Sequence, residues 1–377
     1  MGGAMSESFV RADWAPALPP PLHKPPLIET MRRNLFGDAR SAAITLALAA
    51  LAALSLPSLG RFLVADAVWN APDGALCRAP GAGACWAYIR VKLPYFIYGS
   101  YPVEGHWRVN LAFLLAGGLI FWLLHPRLKG KTVAAFGFFV VLPVVGFFLL
   151  HGAPSLGLSL VGTQLWGGML VSALAALAGM VAALPGGVLL ALGRRSKLPA
   201  LRFLSVGLIE FVRGAPLIAV LFMANAMLPL FLPPDWAPDR LLRPLVGIAL
   251  FASAYMAEVV RAGLNAIPLG QSEGAAALGL SRVQALRLVV LPQALAAVIP
   301  GIVNNFIALF KDTTLVAIVG IFDFLHTVDV ARLDPVWAGP NIATTSYVFA
   351  GLFYLVCCLA MSSYARGVER RLAVGQR

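Results

Sequence analysis

Charge is what this sequence has least of. Only 12% of its 377 residues are Asp, Glu, Lys or Arg, against about a quarter in a soluble domain, while 59% are hydrophobic. So few charges do not cover that much apolar surface in water, whereas a bilayer solvates it directly. The composition therefore excludes a water-soluble globular enzyme and indicates a polytopic membrane protein. Acids are the scarcer sign, 17 against 29 Lys and Arg, for a formal charge of +12. The bases gather in short connections between apolar runs, the positive-inside pattern, so the excess is no sign of nucleic acid.

Chemistry-bearing patterns are equally sparse. The five histidines, His23, His106, His125, His151 and His326, form no HExxH pattern and no Ser/His/Asp arrangement. The only Gly-Lys-Thr, at 130–132, has His125 where a P-loop needs its first glycine. Neither catalysis nor ATP hydrolysis is expected of this chain, and four cysteines without ligand spacing give no metal site. Cys77 and Cys85 enclose the Gly-rich segment CRAPGAGAC. In an oxidising compartment the two suit a disulfide; unpaired thiols are the other reading. Cys357 and Cys358 read as apolar packing residues.

What the sequence does have is long apolar runs, at 41–59, 109–124, 132–150, 165–192, 203–232, 244–264, 293–321 and 344–364. At about 20 residues per crossing these make about eight transmembrane helices. Residues 1–40, with Pro19-Pro20-Pro21 and Pro25-Pro26, read as a flexible cytoplasmic extension. The purely basic links HPRLKGK and RRSKLPALR, and a tail at 367–377 with Arg370, Arg371 and Arg377, belong on the cytoplasmic side. The alternate links are neutral or acidic, with Asp323, Asp329 and Asp334 in the last. Both termini are thus expected in the cytoplasm. Loop 60–108, with both loop cysteines and a cluster of Trp and Tyr, is expected outside although its small basic excess runs against this.

The link after the sixth run, NAIPLGQSEGAAALGLSRVQALRLVVLPQAL, is much longer than the other cytoplasmic links and is punctuated like two short helices. Pro268 suits a helix start and Gly279 a left-handed stop; Ser281 and Gln284 form a capping-box pattern, and Pro292 is expected to end or kink the second helix. Taken alone, the segment reads as an ordinary folded loop, a coupling element or, less readily in a membrane-tethered link, a DNA-binding helix-turn-helix.

Glu273-Gly274-Ala275 with Ala276, then Gly279, then Val289, Leu291 and Pro292 resemble the EAA signature of ABC-importer permeases, with Gly274 standing where the signature has Ala. Over about 161–366 the wording also resembles the polar amino acid permease family: TQLWGGML, IEFVRGAPL, SAYMAEVVRAGLNAIPLGQSEGAAALGLS and NNFIALFKDTTLVAIVG. With the added region 41–150, the chain resembles the larger permease subunit of general L-amino-acid ABC transporters. The resemblance implies an all-α type I permease core of five helices at 161–366 plus three N-terminal helices, in a multi-pass protein of the bacterial inner membrane. It further implies import of polar or general L-amino acids, coupled through the EAA loop to a separate ATPase dimer that holds ATP and Mg2+. A second homologous permease and a periplasmic amino-acid-binding protein are the other partners implied, within membrane lipid.

Ionisable groups at membrane depth are costly, about 2.5 to 3.5 kcal/mol each on insertion scales, so those within the runs need a reason. Glu210 with Arg213, and Glu258 with Arg261, are spaced to pair at i,i+3. They either hold helices in register or line the mouth of a translocation path. Asn304, Asn305, Lys311 and Asp312 either complement a zwitterionic amino acid or fix helix packing. The rival to the importer reading is an ion-gradient-driven secondary transporter or channel for small polar solutes.

Overall fold

The computed structural model describes residues 26–233 and 238–374; Pro19-Pro20-Pro21 and Pro25 of the expected extension lie outside it. Seven of its helices are long and apolar enough to cross a membrane, and one bent pair makes eight candidate spans. Among the described residues β-structure amounts to isolated bridges.

The chain divides at Ala65 into two compact units. In the first, α1 (Leu27–Phe36) precedes α2 (Ala39–Gly60), which runs on through a π-helical turn to Ala65. Asp38 caps α2 by accepting the Ser41 N–H at 2.8 Å, and the hydrogen bonds from Ser41 hold its carboxyl below the usual range. The Thr45 hydroxyl donates to the Leu35 carbonyl at 2.8 Å and links the two helices. No residue of α2 is buried in the chain, which suits a helix solvated by lipid. Helix α1 lies where the sequence suggested only a flexible extension: its ten residues are too few for propensity to announce it.

The second unit begins at Asp66. Its spans are α4 (His106–Leu124), the run Lys131–His151 comprising α5 (Lys131–Phe136), a π turn and α6 (Leu142–His151), then α7 (Gly168–Arg194), α10 (Leu242–Ala266), α14 (Ile299–Asp312) with a 3-10 extension to Val319, and α16 (Ile342–Val374). Helices α7 and α10 form the centre, with Ala183, Ile248, Met256, Val260 and Leu309 buried between and around them. Small residues make that seam. A Cβ on Gly187 would stand 2.6 Å from Met256 Cγ, so glycine is what lets the helices approach. The Ser253 hydroxyl satisfies itself on the Ala249 carbonyl at 2.7 Å and the Ala182 carbonyl at 3.1 Å.

The fifth run is not a straight helix. Helix α8 (Pro199–Gly214) and the stretch Leu217–Phe231, which begins with α9 (Leu217–Phe222), meet at 108°. Ala215 and Pro216 are extended there, as the restrictions on proline and its predecessor require. Of the two effects expected of Pro292, ending or kinking its helix, the first does not occur. The segment from α12 (Arg282–Ala285) passes through a π turn at Leu286–Val290 into α13 (Leu291–Ala297), with Pro292 near its start. A π turn shifts the hydrogen-bond register just before the residue that lacks an N–H. The break comes later, at Val298, so the span starts at Ile299 rather than 293.

Residues 66–101, expected as an external loop, fold into a cap. Cys77 and Cys85 are joined by a disulfide with Cα atoms 5.6 Å apart, both buried, at the head of α3 (Trp86–Tyr98). Tyr88, Phe96 and the two cysteines share a core with Phe324 and Val328 of α15 (Phe324–Ala331), with Trp337, and with Ile342 at the start of α16. Polar ties follow the same path: the Cys85 N–H donates to Thr345 Oγ1 at 3.0 Å, Arg78 Nη1 donates to the carbonyls of Val336 and Ala338, and Lys92 pairs with Asp334. Lys92 holds the Asp334 carboxyl below the usual range. At its far end the cap meets the start of α7, where Met169 packs on its core and the backbones come close. A Cβ on Gly99, whose φ is +62°, would come within 2.4 Å of Gly167 Cα.

Candidate coupling segment and ion network

Helix α10 stops at Ala266, and extended Ile267 and Pro268 turn the chain into α11 (Leu269–Ala277). Gly279, with φ +78°, donates its N–H to the Ala276 carbonyl at 2.9 Å, and Leu280 donates to Ala275 at 3.1 Å, closing the helix with a left-handed turn. Ser281 then opens α12 with both halves of a capping box: its N–H donates to Gln284 Oε1 at 2.9 Å, and the Gln284 N–H donates to its Oγ. The side-chain amide of Gln293 donates to Gln271 Oε1 at 3.0 Å and ties α11 to α13.

This geometry leaves one side of α11 open. Ala275 is buried, whereas Glu273, Gly274, Ala276 and Gly279 are exposed beside Leu269 and Leu278, which are 80% and 82% exposed. Leu291 is half-buried and Pro292 exposed on the following helix. A Cβ added at Gly274 or Gly279 meets no atom within 4 Å. The segment therefore presents small residues and an apolar knob outward, a surface that another protein can approach closely. Beside it, a crevice of about 410 Å3 is lined by Arg195, Ser272, Ala276, Leu280 and Arg282, giving the segment a basic flank.

The charged residues expected within the spans meet at the same end of α7 and α10. Glu258 accepts from Arg261 Nε at 2.9 Å and Nη2 at 2.6 Å, from Arg194 Nη1 at 2.8 Å, and has Arg213 Nη1 at 3.9 Å. The expected Glu258–Arg261 pair forms, but Glu210 does not pair with Arg213. It stands 3.0 Å from Arg194 Nη1 instead, because that guanidinium lies between both carboxylates and serves them together. Arg213 leans over the ring of Tyr255, 5.5 Å from its centroid. Three helices, α7, α8 and α10, are thus joined by one network. Sequence reasoning missed Arg194, which was read only as part of a basic link; its place in the last turn of α7 was the available signal.

Helix α14 carries the remaining candidates. Asn304, Ala308 and Lys311 are exposed along one face at i, i+4, i+7, while Asn305 and Asp312 are half-buried to the side. Phe310 on another face packs on Phe353 and Tyr354 of α16. Asn304 and Lys311 are about 10 Å apart along the axis, so they do not grip the same pair of α-substituents of one amino acid. A polar stripe, rather than a closed pocket, is what these residues form.

Residues 183–374 match the family described as binding-protein-dependent transport system inner membrane component. Over 351 residues the chain is 44% identical to the inner membrane amino-acid ABC transporter permease protein YhdY of Escherichia coli (strain K12), covering 92% of this chain and 93% of that one. Over 430 residues it is 38% identical to the glutamate/glutamine/aspartate/asparagine transport system permease protein BztC of Rhodobacter capsulatus, covering 97% and 98%. Among solved structures, an amino acid ABC transporter with histidines aligns at TM-score 0.47 and 26% identity, over 54% of this chain and 91% of that chain. The family match and the two sequence relatives set aside the ion-driven secondary transporter. The chain belongs to the inner-membrane permease family of binding-protein-dependent ABC importers, as a transport subunit and not an enzyme.

Proposed function

We propose that this subunit carries polar or general L-amino acids across the inner membrane, as part of an importer with a second related permease, a periplasmic amino-acid-binding protein and a separate ATPase dimer. Residues 161–366 are the permease core, 41–150 an added three-helix region, and both termini face the cytoplasm. The ATPase, which holds ATP and Mg2+, couples through Glu273, Gly274, Ala275, Ala276 and Gly279, and Leu291 and Pro292 carry the movement into α14. Ala275 acts from behind, as the buried residue that seats α11.

The observation that supports this most directly is the exposed small-residue face of α11, bracketed by Pro268 and Gly279 beside the ends of α7 and α10. A rigid helix held at both ends transmits a push, whereas a mobile loop absorbs it. Glu210, Arg213, Glu258 and Arg261, together with Arg194, form a gate at that end. Asn304, Asn305, Lys311 and Asp312 line the path.

The test is purification from native membranes in mild detergent, followed by reconstitution with the proteins that accompany the chain. Recovery of an ATPase and a second permease, with uptake of a labelled polar L-amino acid only when ATP and a binding protein are supplied, is the expected outcome. Uptake by this chain alone without ATP would overturn the proposal.

A further inference from the structure

A groove of about 570 Å3 lies where α4 and the run from α5 to α6 meet α7 and the start of α10. Phe113, Phe138, Leu142, Leu174 and Val181 are among the side chains that line it. Its polar residues, His151, Thr163 and Asp239, sit at the end of the bundle opposite the coupling segment. We propose that the groove holds one acyl chain of a membrane phospholipid, with an ethanolamine headgroup against Asp239.

Length argues for this occupant. Along α7 the lining runs from Leu170 to Val181, about 16 Å at 1.5 Å per residue. That is about half of a 30 Å hydrocarbon core, the depth of one leaflet. Apolar lining through that depth and polar groups at one end reproduce the amphipathic profile of a lipid standing in a membrane. An amino acid substrate, whose two charged groups need partners wherever it rests, finds none along these walls.

A helix from a partner protein, about 10 Å across, would insert only one face into the groove. A polymethylene chain is narrow and flexible enough to occupy the whole of it. The mouth supplies the polar complement: Thr163 Oγ1 donates to Asp239 Oδ2 at 2.7 Å and the Leu241 N–H donates to Oδ1 at 2.8 Å, which fixes an exposed carboxylate at the rim. A fixed negative charge there complements an ammonium.

The experiment is native mass spectrometry and lipid extraction of the assembled importer, purified from membranes and then exchanged into nanodiscs holding equal phosphatidylethanolamine and phosphatidylglycerol. The expected result is one phosphatidylethanolamine retained per copy of this chain, enriched up to about fivefold over phosphatidylglycerol. Gly146 lines the groove, and a Cβ there meets no atom within 4 Å, so Gly146→Phe can start a ring into the groove from an unobstructed Cβ. That variant should lose the lipid while Gly146→Ala, which tests the fold of α6, keeps it. Asp239→Asn should keep a lipid and lose the headgroup preference. A wild-type importer without retained lipid, equal retention in Gly146→Phe and Gly146→Ala, or a photocross-link from Leu174 to a protein instead of a lipid would each overturn the proposal.

Discussion

Arg194 at the end of α7 and Glu258 in α10 stand 2.8 Å apart, and the same Arg194 nitrogen is 3.0 Å from Glu210 of α8. One guanidinium on α7 thus ties α8 and α10 together. Half-buried charges of this kind are stable only as a set, because removing one carboxylate strands several cations. Glu258→Gln leaves Arg213 and Arg261 without their carboxylate and Arg194 with Glu210 alone, and should lower stability by about 1–2 kcal/mol, less than for a fully buried pair. Arg194→Gln should do less, since Glu258 keeps Arg261. Thermal melting of the two variants in detergent checks the order; equal losses would mean that the network is not shared.

Gly274 and Gly279 are five residues apart, and alanine should act on them in opposite ways. At Gly279 the φ of +78° is disfavoured for a residue with a Cβ by about 1–2 kcal/mol, even though the surrounding space is open. At Gly274, inside α11 with open space around it, alanine should favour the helix by about 1 kcal/mol. Amino-acid uptake should fall several-fold in Gly279→Ala, vanish in Gly279→Asp and hold or rise in Gly274→Ala, with membrane levels unchanged. Uptake assays beside immunoblots of the membrane fraction read this directly.

Much of this was legible in the residues because membrane helices and caps announce themselves locally. A run of apolar residues has few alternatives in lipid, and Pro268, Gly279, Ser281 and Gln284 act through their immediate neighbours in the chain. What escaped depends on distant contacts. Nothing in the run from Asp66 to Gly99 reports that Tyr88 and Phe96 pack on Phe324 and Trp337, more than two hundred residues away. The i,i+3 spacing of Glu210 and Arg213 is visible in sequence, whereas Arg194 reaches Glu210 only through the packing of α7 on α8. Helix α1 and the π turn before Pro292 were hidden for the opposite reason: each is too short or too local an adjustment for a hydropathy pattern to register.

The disulfide should matter to the cap more than to the spans. Closing so short a loop restricts the unfolded chain by about 2–3 kcal/mol, and both cysteines are buried against α15 and α16. Cys77→Ser with Cys85→Ser should therefore open the cap to proteolysis between residues 66 and 101 while helical content, read by circular dichroism, stays the same. Protection equal to that of the wild type would show that packing on Phe324 and Trp337 holds the cap without the bridge.

Asp323 stands at the head of α15, the helix on which the cap packs, and gives the fold a pH dependence of definite sign. It is fully buried there, where its carboxylate accepts the N–H groups of Leu325 at 3.0 Å and His326 at 3.1 Å. Burial pushes its pKa up to about 6, against the effect of those hydrogen bonds. The folded state therefore holds the proton more tightly than the unfolded chain. Below the ordinary carboxyl range both states are protonated and nothing is lost; as pH rises from there through about 6 the buried charge removes stability, and above that, with both states ionised, the loss is complete and constant. Asn also caps helices well and carries no charge, so Asp323→Asn should melt higher than the wild type at pH 8 and no differently near pH 4. Melting curves across that range test the sign: a variant weaker at pH 8 would mean that the ionised carboxylate, through its two N–H partners, stabilises α15 more than its burial costs.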